Sequence, residues 1–347
     1  MTFASAKSMA FSSSIAITFL FFLTLTLMPM TPFCIPFVVF HGIEDACSHK
    51  GVAHFTEILT DWSGNQGYCV EIGNGVWDSW FMPFPKQISI ACEKVKKISE
   101  LSNGYNIVGL SQGNMVGRGI IEFCDEGPPV KNLISLAGPH AGIASVPFCG
   151  SGLLCILVDS LIQLFVYSDF VQDHLAPAGY IKIPTDINGY RKGCKFLPKL
   201  NNEFHKNNSY KKRFASLDNL VLIMFDQDEV LVPRETSLFG YFPDGSWSTV
   251  LPAQETELYK EDWIGLRTLD EAGKVQFVNV SGNHLEIALD DMKKYVLPYL
   301  LENGTAQPPT AQPPTSHEPS LLQQSFQHLY QKIDWQGEEK LRLRLTN

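Results

Sequence analysis

The stretch Gly109-Leu110-Ser111-Gln112-Gly113 sets one serine between two glycines, where an apolar run, YNIVGL (105–110), gives way to a helix-like one. A strand that bends sharply into a helix lifts the residue at the bend clear of the sheet, and a serine there is presented as a nucleophile. Crowding at such a bend demands small residues two positions before and two after, which Gly109 and Gly113 supply. Gly117 and Gly119 further along let the helix lie close to the sheet. A hydroxyl attacks only if a base takes its proton, and the base needs a carboxylate to orient it. With the chain order serine, acid, histidine, four of the nine histidines follow at a useful interval before the C-terminal tail: His140, His174, His205 and His284. Only His284 falls just past the last strand, in VNVSGNHLEIALDDM, with a helix behind it. The acid should close the preceding strand, where NLVLIMFDQDEVLVP offers Asp226, Asp228 and Glu229; position alone does not choose among them. Donors for an oxyanion would be the backbone N–H of Gln112 and that of Ile43, in the FHGIED loop after the first strand. The chemistry of such a set is acyl transfer through an acyl-serine.

These residues need a frame that gathers them at one edge. Strand candidates are PFVVF (36–40), YCVEI (68–72), YNIVGL (105–110), NLISL (132–136), NLVLIMF (219–225) and KVQFVNV (274–280). Helical periods lie between them: Val52, Phe55, Ile58, Leu59 and Trp62 share one face, and residues 86–101 form a second helix. Repeated β–α–β order predicts a mostly parallel sheet flanked by helices, with its ligand site at the carboxyl ends of the strands. From about 147 to 215 the alternation lapses into a segment apolar around nearly its whole circumference. It reads either as interior helices or as a cap that walls the site for a greasy substrate.

The totals exclude other classes. The 347 residues are 45% hydrophobic and 18% charged with a net charge of −9, and the short basic runs KVKK and YKKR make no stripe, so nucleic acid is not an expected partner. Residues 1–30 carry one early cation, Lys7, and then an apolar run of about 14 residues, the pattern of a secretory signal and too short for a comfortable membrane span. Secretion would allow the eight cysteines to pair. No C-x-x-C and no cysteine beside a histidine pair suggests a metal site, so no metal or other cofactor is expected. Sequons at Asn207 and Asn303 are expected to be glycosylated, whereas Asn279, inside an apolar run, is expected to be buried. Residues 303–347, opening with TAQPPTAQPPT, read as a proline-rich linker and a tail, disordered or partly helical.

Several stretches together resemble the palmitoyl-protein thioesterases, lysosomal α/β-hydrolases that remove fatty acyl groups from cysteine. They are VVFHGIEDAC, GYNIVGLSQG, NLISLAGPHAG, FDQDEVLVPRETSLFGYF, LPAQETELYKEDWIGLRTLDEAGKVQFVNVSGNHLEI and YVLPYL. His41-Gly42 is also similar to the His-Gly of the oxyanion loop of lipases. The resemblance implies an α/β-hydrolase domain over 31–302 with a cap insertion at about 147–215. It places the family's nucleophile on Ser111, its acid on Asp228, its base on His284 and its oxyanion donors on Ile43 and Gln112. It implies disulfides Cys92–Cys124 and Cys149–Cys155. Cys47 falls where animal members carry a vicinal cysteine pair, but its neighbour is Ser48, and Cys34, Cys69 and Cys194 receive no partner. Asn114 stands where animal members commonly have glycine. The implied substrates are S-palmitoylated proteins or peptides and acyl-CoA-like thioesters, in a lysosome, a vacuole or outside the cell. The rival readings are a lipase or carboxylesterase of the same fold and a non-catalytic lipid-binding protein.

Overall fold

The computed structural model describes residues 35–144 and 165–301. The signal-like segment 1–30, Cys34, Cys149, Cys155, Asn303, the first part of the cap segment and the tail lie outside the described residues. Six strands form one parallel sheet: β1 (Phe37–Phe40), β2 (Gly67–Cys69), β3 (Tyr105–Leu110), β4 (Val130–Leu136), β5 (Asn219–Phe225) and β6 (Val275–Val280), in the order β2-β1-β3-β4-β5-β6. Every residue of β1 and β3 is buried, as expected of parallel strands covered on both faces. The sheet, its flanking helices and the sharp serine turn after β3 make this an α/β-hydrolase fold.

Two strands differ from expectation at the edges. The second ends at Cys69 rather than Ile72, because Cys69 is joined by a disulfide to Cys47 and Glu71 turns toward the loop after β1. The sixth is an edge strand, half-covered along its middle, and Asn279 on it is exposed rather than buried. An apolar run at a sheet edge has only one neighbour and leaves alternate positions in solvent.

Helix α1 (Lys50–Ser63) buries Val52, Phe55 and Leu59 and ends on Gly64, whose positive φ of 69° lets its N–H close on the Thr60 carbonyl. Helix α2 (Val76–Phe81) is short, and α3 (Phe84–Lys97) is followed by a 3-10 turn at Ser99–Leu101, where the sequence had suggested one helix. Helix α4 (Gly113–Phe123) follows the serine and is buried from Gly113 through Glu122. Cys92 of α3 is bonded to Cys124 at the end of α4, at a sequence separation of 32. Such a closure stabilises by roughly 3–4 kcal/mol in the chain-entropy account. The described part of residues 147–215 contributes α5 (Asp169–His174), α6 (Ile187–Gly193), α7 (Leu197–Leu200) and α8 (Asn208–Phe214).

The glycines of α4 have separate duties. A Cβ on Gly113 would lie 2.3 Å from the Phe40 carbonyl oxygen, and one on Gly117 would meet Ile107 of β3 at 3.0 Å. Gly119 faces α3 instead of the sheet, since its Cβ would meet Ile88 at 2.2 Å. Arg118 and Glu122, one turn apart, are both fully buried and joined Nη2 to Oε1 at 2.9 Å. The same guanidinium donates to Asn201 Oδ1 at 2.9 Å and to the Leu200 carbonyl at 3.1 Å, and lies over the Phe214 and Phe239 rings. Burial pushes Arg118 downward and Glu122 upward in pKa, and each is opposed by the charge of the other. Arg118 therefore ties the helix behind the serine to the end of α7.

Two outcomes follow for stability in urea. Arg118→Met should cost about 3–5 kcal/mol, because it strands a buried carboxylate, whereas Arg191→Met at the exposed pair with Asp244 should cost under about 1 kcal/mol. Gly113→Ala, which meets backbone, should lower the midpoint more than Gly117→Ala, which meets a movable side chain, by roughly 1–3 kcal/mol.

Candidate active site

The turn after β3 holds Ser111 at a φ of 50°, a left-handed conformation that costs a non-glycine residue energy. Its N–H donates to the Leu136 carbonyl at 2.9 Å, fastening the turn to the end of β4. Asn114 adds to this by donating from Nδ2 to the Ser111 and Leu136 carbonyls, both at 3.0 Å. Where glycine would be silent, asparagine binds the elbow to its neighbouring strand.

Three side chains from distant parts of the chain meet here. His284, in the loop after β6, places Nε2 2.8 Å from Ser111 Oγ and Nδ1 2.6 Å from Asp228 Oδ2. Asp228 is buried, and its other oxygen accepts the Val230 and Leu231 N–H groups at 2.9 and 3.1 Å, which locks the carboxylate in the loop after β5. A carboxylate only accepts, so Nδ1 carries the proton and the Nε2 lone pair faces the serine hydroxyl. Ser111 Oγ can thus give its proton to His284.

The other candidates stay apart. Asp226 accepts from Asn279 Nδ2 at 3.3 Å, and Glu229 is exposed. His140 is buried against Phe239, with Nε2 2.8 Å from Ser135 Oγ; His174 bonds to the Phe170 carbonyl, and His205 lies at the surface.

The loop after β1 comes up beside the serine. Gly42 sits so close that a Cβ there would be 3.3 Å from Ser111 Cβ. Among the described residues neither the Ile43 N–H nor the Gln112 N–H has an acceptor. The Gln112 side chain is clamped, donating to the Ser79 carbonyl at 2.7 Å and accepting from Tyr180 Oη at 2.9 Å. Ser79 also takes the Glu44 N–H on its Oγ at 2.9 Å, so one residue of α2 holds both the Gln112 side chain and the residue after Ile43.

Behind that loop, His41 Nδ1 lies 2.9 Å from the Gly42 carbonyl oxygen and Nε2 lies 2.8 Å from Glu71 Oε1. Glu71 accepts in addition the N–H groups of Cys47 and Ile72 at 2.8 and 3.0 Å. Burial works against a charge on His41, but its bonds to Glu71 and Gly42 outweigh that and raise its pKa. Burial likewise opposes the Glu71 charge, and His41 with the two N–H groups overcomes it, lowering its pKa. His41, Cys47 and Glu71 crowd their ligand-type atoms within 4.8 Å, but the Cys47 sulfur is bonded to Cys69, which removes the thiolate such a metal set would need.

Sequence reasoning missed the Cys47–Cys69 bond and the parts played by Glu71, Ser79 and Asn114. Cys69 and Glu71 stand at the carboxyl end of β2, the edge where ligands are expected, and that placement was the available signal. Cys194 is a free, buried thiol whose pKa burial pushes up to about 12.

The profile described as palmitoyl protein thioesterase matches residues 36–284. Palmitoyl-protein thioesterase 1 of Caenorhabditis elegans is 37% identical over 275 residues, covering 76% of this chain and 92% of its own. Palmitoyl-protein thioesterase 3 of Dictyostelium discoideum is 35% identical over 237 residues, covering 67% and 80% respectively. The lysosomal thioesterase PPT2 homolog of Drosophila melanogaster is 30% identical over 274 residues, covering 76% and 91%. With its serine turn, its gathered side chains and this degree of shared sequence, the chain belongs to the palmitoyl protein thioesterase family of hydrolases.

Proposed function

We propose that the protein hydrolyses the thioester between a palmitoyl-type acyl chain and cysteine in S-acylated proteins or peptides, with Ser111 as nucleophile, His284 as base and acid, and Asp228 as the group that orients it. The observation that carries this is the continuous relay from Asp228 Oδ2 through His284 to Ser111 Oγ, at 2.6 and 2.8 Å, in a member of this family. Ser111 Oγ forms a bond to the thioester carbonyl carbon as its proton passes to His284 Nε2. The Ile43 and Gln112 N–H groups receive the oxyanion. Collapse breaks the C–S bond, and the proton on Nε2 goes to the departing sulfur. Water, deprotonated by His284, then releases the fatty acid and restores the serine.

The cap, residues 147–215, supplies the apolar wall in this reading; its described part carries Phe165 and Phe170 exposed. A buried acyl chain would contribute about 0.8 kcal/mol per methylene. The name of the fly relative, the signal-like first 30 residues and the two disulfides support passage through the secretory pathway to a lysosome or vacuole, or outside the cell. Asn207 caps α8 through Oδ1, accepting the Ser209 and Tyr210 N–H groups, which leaves its Nδ2 for a glycan. Peptide N-glycosidase should speed the migration of secreted wild type, and Asn207→Gln should remove one step of that shift; no change would strike Asn207 from the reading.

Turnover of palmitoyl-CoA and a palmitoylated peptide by wild type should fall about 10³-fold or more in Ser111→Ala. An oxygen ester turned over faster than the thioesters would favour a lipase or carboxylesterase. A serine-directed phosphonate should label Ser111, and folded wild type that neither labels nor turns over would favour a lipid-binding protein.

A further inference from the structure

The two ring nitrogens of His41 both face groups that accept. Nδ1 meets the Gly42 carbonyl oxygen at 2.9 Å, and Nε2 meets Glu71 Oε1 at 2.8 Å. Neutral imidazole has one donor and one acceptor, so satisfying both contacts requires a proton on each nitrogen. The second proton is sound only if Glu71 is ionised, and its two oxygens also take the Cys47 and Ile72 N–H groups. His41 is thus held as an imidazolium paired with a carboxylate, in line with the raised pKa of one and the lowered pKa of the other. Glu71 and Asp45 are the acidic groups that act on it.

The consequence runs through one peptide plane. A trans peptide points its C=O and its N–H in opposite directions. The Gly42 carbonyl and the Ile43 N–H belong to the same unit, so a donor fixed on that carbonyl fixes the direction of that N–H. Gly42 resists rotation poorly, since it lacks a Cβ. A flip of the unit would turn a carbonyl toward the place where negative charge develops. Nothing else among the described residues holds the Gly42 oxygen. Glu71 completes the brace through the Cys47 N–H, and the Cys47–Cys69 bond ties the far end of the loop to β2.

We propose that His41 and Glu71 are a positioning pair for the reaction: the His41 imidazolium, held by Glu71, grips the Gly42 carbonyl and so keeps the Ile43 N–H directed at the oxyanion beside Ser111. This rests on the reading of Ser111 and Ile43 given above. Neither member of the pair reaches the reacting atoms through a bond of its own; both act through the 42–43 peptide.

The test uses the full-length protein with Glu71→Gln and His41→Phe, each compared with wild type. Palmitoyl-CoA turnover should lose about 10–100-fold in kcat with KM within about twofold, a smaller loss than deleting an oxyanion donor outright. A palmityl trifluoromethyl ketone, whose serine adduct places an oxyanion in the hole, should bind more weakly by a similar factor. Hexadecanol, which has no such charge, should bind as in wild type. A kcat within threefold of wild type, or equal weakening of ketone and alcohol, would overturn the pair as a positioning device. A failure of the underlying reading would look different, as wild type that is not labelled by phosphonate. A measurement free of either substitution is the ¹⁵N spectrum of the His41 ring in Ser111→Ala at pH 6: both nitrogens should be protonated, and a neutral ring would equally overturn the proposal.

Discussion

The constraint on which the site depends is the near contact of helix α4 with the ends of β1 and β3. Ser111 is held at positive φ only because the chain on either side of it is pinned: its N–H to β4, the Asn114 amide across the turn, and Gly113 against the Phe40 carbonyl. A non-glycine residue in that conformation costs on the order of 1–3 kcal/mol. The cost is offset by burying almost every residue of α4, so the helix that makes the strain necessary is also the one that holds it in place. Cys92–Cys124 and the Arg118 contacts act on the same helix from its other faces. Losing any of them loosens the element from which the serine is presented.

Features fixed by local chemistry were legible in the sequence. The third and fifth strands span the residues their apolar runs suggested, and the glycine-spaced serine lies at the bend. His284 was singled out by its place after the last strand. The carboxylate that meets it was not, because Asp226, Asp228 and Glu229 differ by one to three positions in a loop where the Val230 and Leu231 N–H groups hold Asp228. Only the family resemblance pointed to Asp228. What stayed hidden was long-range or lay at an edge. Cys47 lies in the loop after β1 and Cys69 at the end of β2, and they meet because β1 and β2 pair in parallel. Asn279 sits in a run as apolar as its neighbours, yet β6 has a partner on one side only, and composition does not announce which strand is outermost.

The buried polar groups divide into those that brace and those that are poised. Arg118 spends its donors on Glu122, Asn201 and the Leu200 carbonyl, all fixed, and stacks against aromatic rings; such a group specifies a packing arrangement and has no donor directed at the serine. The Gln112 side chain is saturated in the same way by Ser79 and Tyr180, which leaves the backbone N–H of Gln112 for the oxyanion role proposed for it. Saturating a side chain so that its backbone donor stays rigid avoids reorganisation when charge appears, which is where oxyanion stabilisation derives its advantage over water.

His41 and His284 apply the same principle with opposite protonation. Both lean on a carboxylate through one ring nitrogen, Glu71 for one and Asp228 for the other. The difference lies at the second nitrogen. For His41 it meets a carbonyl, which can only accept, and the ring is therefore driven to carry two protons and to hold still. For His284 it meets a hydroxyl, which can donate, and the ring is left with a lone pair and a proton to collect. In the proposed reaction one loop histidine thereby serves geometry and the other proton transfer, and the partner atom at a single nitrogen decides which.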